Sequence, residues 1–344
     1  MDRDLLQEAG RRLSGWERTM ILTHVRPDGD GLGAMAALKR VIESAGRQAT
    51  AYVYAEIPDR YKFLGESGGF IFWQDDDPQK IDAQFDGILI FDTCSWSQLE
   101  PVADYLRKSS LPKIVVDHHD TNDDLATMNS NALYIIDSTA ASTSEIAYAW
   151  LRAMNSPIDS LTAEALFTGI ATDTGWFRFS NTNSRTFLWA ADLLESGIRP
   201  DKLYATIYSS YSLERLRLMG HMLSTLELHA DGALAIMSIT REMFDKTGAK
   251  ATDTEELVNE PLDTGPVAVS VLLSEMRDGR IRVNFRSKAP EVAGVDVDVS
   301  QVAKQFGGGG HQRASATRVE GKLDEVRKRV TAAILSILNA QPAQ

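Results

Sequence analysis

The stretch KIVVDHH, residues 113–119, places three polar side chains directly after a short run of hydrophobic ones. A run of β-branched residues is typical of a buried β-strand. The end of such a strand is an unfavourable position for Asp117, His118 and His119 unless these groups have polar partners. The stretch therefore indicates either a capped turn or a binding site at the end of a strand.

Three further segments in the first half of the chain also end in acidic or imidazole side chains. They are THVRPDGDG at 23–31, FDT at 91–93 and ATDTG at 171–175. They supply the candidate ligands His24, Asp28, Asp30, Asp92 and Asp173. In an open parallel sheet, the carboxyl ends of the strands face one crevice. We therefore expect these side chains to converge with those of residues 117–119.

The hydrophobic pattern of the first half predicts strands that alternate with helices. Strands are predicted at 19–24, 49–55, 85–93 and 113–119, and helices at 31–46, 142–154 and 162–175. Strands that are hydrophobic throughout and joined by helices indicate a buried sheet. The prediction is an α/β fold with a mostly parallel sheet flanked by helices.

The second half predicts a helical connector followed by a smaller α/β domain. Residues 200–228 are predicted to be mostly helical, with Pro200 in a first turn. Beyond them, strands are predicted at 232–240 and 314–321, a hairpin at 267–287, and helices at 299–306 and 323–338. The predicted domains are therefore 1–195, a connector at 196–230, and 231–344.

Composition narrows the classes of function. A chain of 344 residues favours two domains, and its net charge of −12 argues against a broad surface for duplex DNA. The single cysteine, Cys94, excludes an intrachain disulfide. The N-terminus has no hydrophobic signal region, and no stretch reaches the ~18 apolar residues that span a bilayer. We therefore expect a cytoplasmic protein without a membrane partner.

The clustered acidic residues point to divalent cations. Several carboxylates close together cannot all stay ionised without a counter-charge. Carboxylates and imidazoles without thiolates suit Mn²⁺, Mg²⁺ or a similar ion, and two cations that share a carboxylate can activate water against phosphorus. Each residue alone is also explained by a turn or a helix cap. Four clusters at matching positions favour the metal site.

The C-terminal half carries a candidate phosphate site. The sequence GGGGH at 307–311 lets backbone N–H groups approach an anion, and NFRSK at 284–288 supplies Arg286. The planar guanidinium of arginine binds phosphate oxygens in pairs. A flexible loop would also explain the glycines, and a solvated strand end would explain Arg286.

These motifs together resemble a known family. HVRPDGDGLGA, FDT, VVDHH and ATDTG resemble the four motifs of the DHH phosphoesterase superfamily. NFRSK with FGGGGHQRASA resembles the DHHA1 domain that follows in one branch, although ASA at 314–316 differs from the usual Ala-Ala-Gly. Length and motif order resemble the stand-alone nanoRNases, which act as oligoribonuclease and pAp phosphatase.

The resemblance implies two Mn²⁺ ions in the N-terminal domain, with Mg²⁺ or Co²⁺ as alternatives. One ion would be held by His24, Asp28 and Asp92. The other would be held by Asp30, Asp92, His118 and Asp173. Asp92 would then bridge the two ions.

The resemblance also implies roles for the remaining motif residues. Asp117 would orient the imidazole of the metal ligand His118, and His119 would face the scissile phosphate to stabilise charge or protonate the leaving oxygen. A neighbouring substrate phosphate would be held by a second set of residues in the DHHA1 domain. This set comprises Arg286, Gly308, Gly309, Gly310 and His311.

The activity implied by the resemblance is hydrolysis of dinucleotides such as pApA and pGpG to mononucleotides, and of pAp to AMP. Such an enzyme is an oligoribonuclease with 3′(2′),5′-bisphosphate nucleotidase activity. A cyclic-dinucleotide phosphodiesterase is the alternative within enzymes, and a non-catalytic nucleotide-binding regulator is the alternative from another class. Expected partners are short single-stranded RNA, dinucleotides and pAp, and a homodimer is compatible with the sequence.

Overall fold

The structure is a computed structural model that describes residues 2–65, 69–74, 78–119, 131–209 and 212–340. It divides the chain into two compact units, Met1–Ser210 and Tyr211–Gln344. Among the described residues, no helix has both the length and the hydrophobicity that a bilayer crossing requires.

The first unit is built on a six-stranded sheet. Its strands are β1 (Arg18–Leu22), β2 (Gln48–Val53), β3 (Ile71–Phe72), β4 (Gly87–Phe91), β5 (Lys113–Asp117) and β6 (Ala132–Ile136). The spatial order is β3-β2-β1-β4-β5-β6, and every neighbouring pair is parallel. The predicted parallel sheet is therefore confirmed, with β3 and β6 as edge strands that the hydrophobic pattern did not predict.

Eight helices surround this sheet in the described part of the first unit. They are α1 (Arg3–Ser14), α2 (Gly29–Ser44), α3 (Pro78–Asp82), α4 (Ala103–Lys108), α5 (Thr143–Ala153), α6 (Ser160–Asp173), α7 (Ser184–Leu194) and α8 (Pro200–Tyr208). Three short 3₁₀ helices lie at Asp59–Gly65, Trp96–Gln98 and Glu100–Val102.

Both faces of the central strands are buried, which explains their uninterrupted hydrophobic character. In β4, Leu89 and Phe91 join the hydrophobic core that includes α2, α5 and α6. Ile88 and Ile90 of the same strand join a second core on the opposite face, with Leu106 of α4. Alternate residues of one strand therefore serve two different cores.

The strand order creates a crevice at the carboxyl ends of β1 and β4. The chain runs outward from β1 through β2 to β3, and then outward in the other direction from β4 through β5 to β6. Connections that leave two adjacent parallel strands in opposite directions open a crevice between them, where ligands of α/β proteins bind. The fold therefore brings the ends of β1, β4 and β5 to one place.

Helices α2 and α6 pack closely because glycines line their contact. A methyl group at Gly33 would collide with the carbonyl oxygen of Ala165, and one at Gly29 would collide with Thr172. Glycine therefore lets the two backbones approach each other. This approach brings the start of α2, with Asp30, near the end of α6, with Asp173.

The second unit has a mixed six-stranded sheet. Its strands are β7 (Glu227–His229), β8 (Leu234–Ile239), β9 (Val269–Glu275), β10 (Ile281–Ser287), β11 (Gly309–His311) and β12 (Ala314–Val319). The order is β11-β12-β10-β9-β8-β7, with β8 and β9 parallel and the other pairs antiparallel. The predicted hairpin is β9–β10, and its turn contains Gly279 with a φ of +81°.

The helices of the second unit cover this sheet. They are α9 (Leu213–Leu223), α10 (Arg241–Thr247), α11 (Pro290–Ala293), α12 (Val299–Gln305) and α13 (Leu323–Ala340), with 3₁₀ helices at Ala251–Thr254 and Leu257–Asp263. The predicted helical stretch 200–228 contains α8 and α9, and residues 210–211 between them lie outside the described residues.

Candidate metal centre

The candidate ligands collect at the carboxyl ends of three strands and at the ends of two helices. His24 follows β1, Asp92 follows β4, and His118 and His119 follow β5. Asp28 is the N-cap of α2 and Asp30 lies in its first turn. Asp173 is the last residue of α6, so it reaches the cluster from a helix end and not from a strand end.

The side chains form two groups that share Asp92. In the first group, His24 Nε2 lies 3.4 Å from Asp92 Oδ2 and 3.7 Å from Asp28 Oδ1. In the second, His118 Nε2 lies 3.5 Å from Asp173 Oδ2 and 3.9 Å from Asp30 Oδ2.

Asp92 presents a different oxygen to each group. Its Oδ2 faces His24, whereas its Oδ1 lies 3.7 Å from His118 Nε2 and 3.8 Å from His119 Nδ1. In the part of the chain that the structure describes, three sets of possible ligand atoms meet the spacing that one ion needs: His24 with Asp28 and Asp92, Asp30 with His118 and Asp173, and Asp92 with His118 and His119. The carboxylate therefore stands between two candidate cation positions.

The backbone of Asp92 adopts a conformation that is unusual for this residue type. Its φ is +63°, in the left-handed region, although the residue is not glycine. Its N–H donates to the carbonyl oxygen of Val116 on the neighbouring strand, and its side chain is buried. Strain of this kind persists where the surrounding structure holds it, most often at functional sites.

The first residues of α5 bind candidate ligands through hydrogen bonds, and the sequence analysis missed them. The N–H groups of Thr143 and Ser144 donate to the two oxygens of Asp30 at 2.6 and 2.8 Å. The hydroxyl of Thr143 donates to Asp92 Oδ1 at 3.0 Å. These residues looked only like a helix start in the sequence. Their signal is the unbroken polar run STSE, 142–145, at the head of a buried helix.

Asp117 contacts the ring of His119 and not the ring of His118. The Asp117 carboxylate is fully buried, and its Oδ1 lies 2.7 Å from His119 Nδ1. The same oxygen accepts the backbone N–H groups of His118 and His119. The bond from the His118 N–H is the only hydrogen bond described between Asp117 and His118. An ionised carboxylate only accepts, so His119 Nδ1 carries the proton of this hydrogen bond.

The electrostatics of the cluster show how much charge it concentrates. Burial, together with neighbouring carboxylates, raises the pKa of Asp30 and of Asp173 well above the usual range. Burial alone would lower the pKa of His24, but Asp28 and Asp92 outweigh it and raise this pKa to about 10. The cluster therefore holds protons that a divalent cation would replace.

The donor set fits a hard or borderline cation. All the candidate ligand atoms are carboxylate oxygens or imidazole nitrogens, and none is a thiolate. A methyl group at Gly31 would collide with Thr23 Oγ1 and would also lie 3.3 Å from His24 Nε2 and 3.4 Å from Asp92 Oδ2, so glycine leaves space beside the cluster. The residues present therefore fit a metal centre.

The candidate phosphate residues of the second unit lie on β10 and at β11, with β12 between these two strands. Arg286 of β10 pairs in register with Ala314 of β12, which pairs in register with His311 of β11. The side chain of His311 lies outside the described part of the structure. Gly308 and Gly310 lie so close to β12 that a methyl group on either would collide with its backbone.

Arg286 lies on a polar face of its strand. Residues 281–287 alternate between the core and a partly exposed face, and Arg282, Asn284 and Arg286 occupy the second. Burial lowers the pKa of Arg286. An arginine keeps its charge under such a shift, so the face carries permanent positive charge.

Two family models match the chain in the predicted order. The DHH family, N-terminal domain, matches residues 18–170, and the DHHA1 domain matches residues 232–336. The first match contains the six strands of the first sheet and every candidate metal ligand except Asp173. The second contains Arg286 and the glycine run.

Similar proteins align over almost the whole chain. The bifunctional oligoribonuclease and PAP phosphatase NrnA of Thermus thermophilus is 29% identical over 320 residues, which are 91% of this chain and 88% of that protein. The protein of the same name from Bacillus subtilis is 25% identical over 313 residues, 90% of this chain and 91% of its own length.

A solved structure shows the same architecture. The crystal structure of an exopolyphosphatase-related protein from Bacteroides fragilis superposes with a TM-score of 0.88 and 28% sequence identity, and covers 97% of this chain and 96% of its own. Two family domains in this order, together with relatives of similar length, lead to one conclusion. The chain carries a domain that matches the DHH family, N-terminal domain, followed by a domain that matches the DHHA1 domain.

Proposed function

We propose that this protein is a metal-dependent phosphoesterase that hydrolyses very short oligoribonucleotides to mononucleotides, and pAp to AMP. The observation that carries this proposal is the position of Asp92 between two ligand groups, with one oxygen near His24 and the other near His118. The relatives named as bifunctional oligoribonuclease and PAP phosphatase support the substrate class, because they match nearly the full chain.

Six side chains would hold two divalent cations. His24, Asp28 and Asp92 would hold one, and Asp30, Asp92, His118 and Asp173 would hold the other. Bound cations would supply an activated water and balance the negative charge on the phosphate. We propose Mn²⁺ in both positions, with Mg²⁺ or Co²⁺ as alternatives, because oxygen and imidazole donors suit these ions.

His119 is the proposed proton donor to the leaving oxygen. Burial alone would lower the pKa of its ring, but the hydrogen bond to Asp117 and the charge of Asp92 raise it to about 9. The ring is therefore protonated at neutral pH in the metal-free protein. Asp117 fixes its orientation through Nδ1, and Nε2–H is the proposed donor to substrate.

The DHHA1 domain is the proposed binding site for a second substrate phosphate. Arg286 supplies a charged fork, and the backbone of Gly308, Gly309 and Gly310, with His311, supplies further donors. The proposal includes single-stranded substrates and not duplex DNA, since the net charge is −12. We also propose that the protein is cytoplasmic and forms a homodimer. The single cysteine agrees with the cytoplasmic location, because a reducing compartment does not favour disulfides.

A turnover panel tests the proposal. Purified protein with Mn²⁺ is given a 5′-phosphorylated dinucleotide, a long single-stranded RNA, a cyclic dinucleotide and pAp, with chelated protein as the control. We expect rapid release of mononucleotides from the dinucleotide and of AMP from pAp, and no turnover after chelation. Preference for the cyclic substrate would instead indicate a cyclic-dinucleotide phosphodiesterase. Mn²⁺ binding without any turnover would indicate a regulator.

A further inference from the structure

Four consecutive polar residues, Ser142, Thr143, Ser144 and Glu145, are completely buried at the start of α5. Burial of a polar group is unfavourable unless it is hydrogen-bonded. Ser142 Oγ caps the helix by accepting the N–H of Glu145, and Ser144 Oγ donates to the carbonyl oxygen of Asp30. The segment is therefore built around polar partners, and those of Thr143 and Ser144 belong to the candidate metal centre.

The other end of the segment is anchored away from the centre. The carboxylate of Glu145 accepts from Arg185 Nε at 2.6 Å, from Thr186 Oγ1 at 3.0 Å and from the N–H of Ala141 at 3.2 Å. These bonds tie the start of α5 to the start of α7. The contacts of Glu145, which do not involve the candidate ligands, therefore help to fix the position of Thr143.

From this fixed position, Thr143 holds one oxygen of Asp92. The hydroxyl donates to Oδ1, the oxygen that faces His118, and leaves Oδ2 facing His24. A carboxylate that is held at one oxygen cannot rotate to place both oxygens on a single cation. The hydrogen bond therefore favours an arrangement in which each ligand group receives one oxygen of Asp92.

We propose that Thr143 is a positioning residue whose hydroxyl orients Asp92 between the two candidate cation positions and thereby sets the affinity for divalent cations. The inference rests on the proposed metal-dependent function. Thr143 itself is not a ligand, and its effect reaches the cation through Asp92. Hydrogen-bond partners of metal ligands commonly change metal affinity when they are replaced.

Calorimetric titration of the metal-free full chain with Mn²⁺ tests the proposal. Thr143→Val keeps the branched shape and the backbone N–H but removes the donor, and Thr143→Ser keeps the donor. Thr168→Val is the matched control, because Thr168 is also fully buried but its hydroxyl donates only to Glu164 within α6. We expect Thr143→Val to bind Mn²⁺ about 10–100-fold more weakly, and Thr143→Ser and Thr168→Val to bind it like the wild type.

Other outcomes would overturn the proposal. Wild-type affinity in Thr143→Val, or an equal loss in Thr168→Val, would show that the hydroxyl does not position Asp92. If Thr143→Val does not fold, Thr143→Cys replaces it with a weaker donor. This variant should bind Mn²⁺ more weakly than Thr143→Ser, and equal affinity would contradict the proposal. Wild-type protein that binds no Mn²⁺ would overturn the proposed function and this inference together.

Discussion

At the scale of single residues, Asp92 joins three unusual properties: a buried carboxylate, a positive φ, and a position between two ligand groups. The variant Asp92→Asn removes the charge of the carboxylate but keeps the backbone conformation, because asparagine also tolerates the left-handed region. We expect it to fold, to bind neither cation firmly, and to lose about 10³-fold or more in turnover. Metal analysis and steady-state kinetics check this. Unchanged metal content would contradict a shared carboxylate.

His119 is expected to act on the substrate. In His119→Ala the ligands of both proposed cations remain, so Mn²⁺ content should stay at the wild-type level. Loss of a general acid should lower kcat by about 10²–10⁴-fold. The measurement pairs metal analysis with single-turnover hydrolysis of a dinucleotide. Full activity, or loss of a bound ion, would remove the proposed role.

The candidate ligands of the metal cluster could be predicted from the sequence, but the residues that form hydrogen bonds with them could not. Acidic and imidazole side chains after hydrophobic segments signal ligands, so His24, Asp92 and His118 stood out. Thr143 and Asp30 are 113 positions apart, and only the packing of α5 against α2 brings them together. The partner of Asp117 depends on side-chain rotation after a strand end, which sequence patterns do not encode.

At the scale of secondary-structure elements, the close contact of α2 with α6 sets the distance between Asp30 and Asp173. Gly33→Ala should push these helices apart, because the new methyl group meets the backbone of α6. We expect a loss of about 1–3 kcal/mol in the free energy of unfolding and weaker Mn²⁺ binding. Urea denaturation and calorimetric titration measure the two effects.

A matched control for this helix contact is Gly220→Ala in α9. Gly220 is exposed and has open space around its Cα. Alanine there should raise the free energy of unfolding by about 0.4–1 kcal/mol and leave Mn²⁺ binding unchanged. Normal stability and normal Mn²⁺ affinity in Gly33→Ala would show that the helix contact does not set the site.

Central elements were predictable and peripheral ones were not. The strands β1, β2, β4 and β5 carry hydrophobic residues that pack into a core, and such runs are a strong signal. The edge strand β3 has only two residues, both exposed, and β6 is largely half-buried, so neither shows a hydrophobic run. Helix α1 is rich in charged residues, and its apolar face becomes visible only in the fold.

At the scale of the whole molecule, the concentrated charge makes stability depend on pH. The pKa values of His24 and His119 lie at about 10 and about 9 in the folded protein, above the ordinary histidine value of 6.5. Folded protein therefore holds protons that the unfolded chain releases. The resulting stability is present below about pH 6.5 and is lost as pH rises towards these values.

Metal-free protein should therefore become less stable between about pH 7 and about pH 9. A cation replaces the protons, so added Mg²⁺ should stabilise the protein more at the higher pH. Asp28 and Asp117 have lowered pKa values, so they change the stability only at acid pH, below this range. Thermal unfolding with chelator or with Mg²⁺ checks the sign. Stability that rises over this range without metal would contradict the account.

The proposed division of work between the domains gives a kinetic prediction. Arg286→Ala should raise KM for a dinucleotide about 10–100-fold, which corresponds to the loss of a hydrogen bond to a charged group. Mn²⁺ content should not change, because Arg286 belongs to the second domain. Arg280→Ala is the control, since Arg280 lies in the hairpin turn and pairs with Asp278. An unchanged KM in Arg286→Ala would remove the phosphate-binding role.

The α/β class of both domains could be predicted because each has its own hydrophobic pattern and its own motifs. The mixed pairing of the second sheet could not, since the parallel pair β8–β9 is separated by a long connection that includes α10. Local patterns identify strands, whereas long-range pairing decides their order.

The most direct test of the account is a crystal structure of the wild-type protein with Mn²⁺, with anomalous diffraction measured at the manganese absorption edge. The account predicts two anomalous peaks in each chain. One lies among His24, Asp28 and Asp92, and the other among Asp30, Asp92, His118 and Asp173. A single peak, or peaks that do not share Asp92, would contradict the central claim.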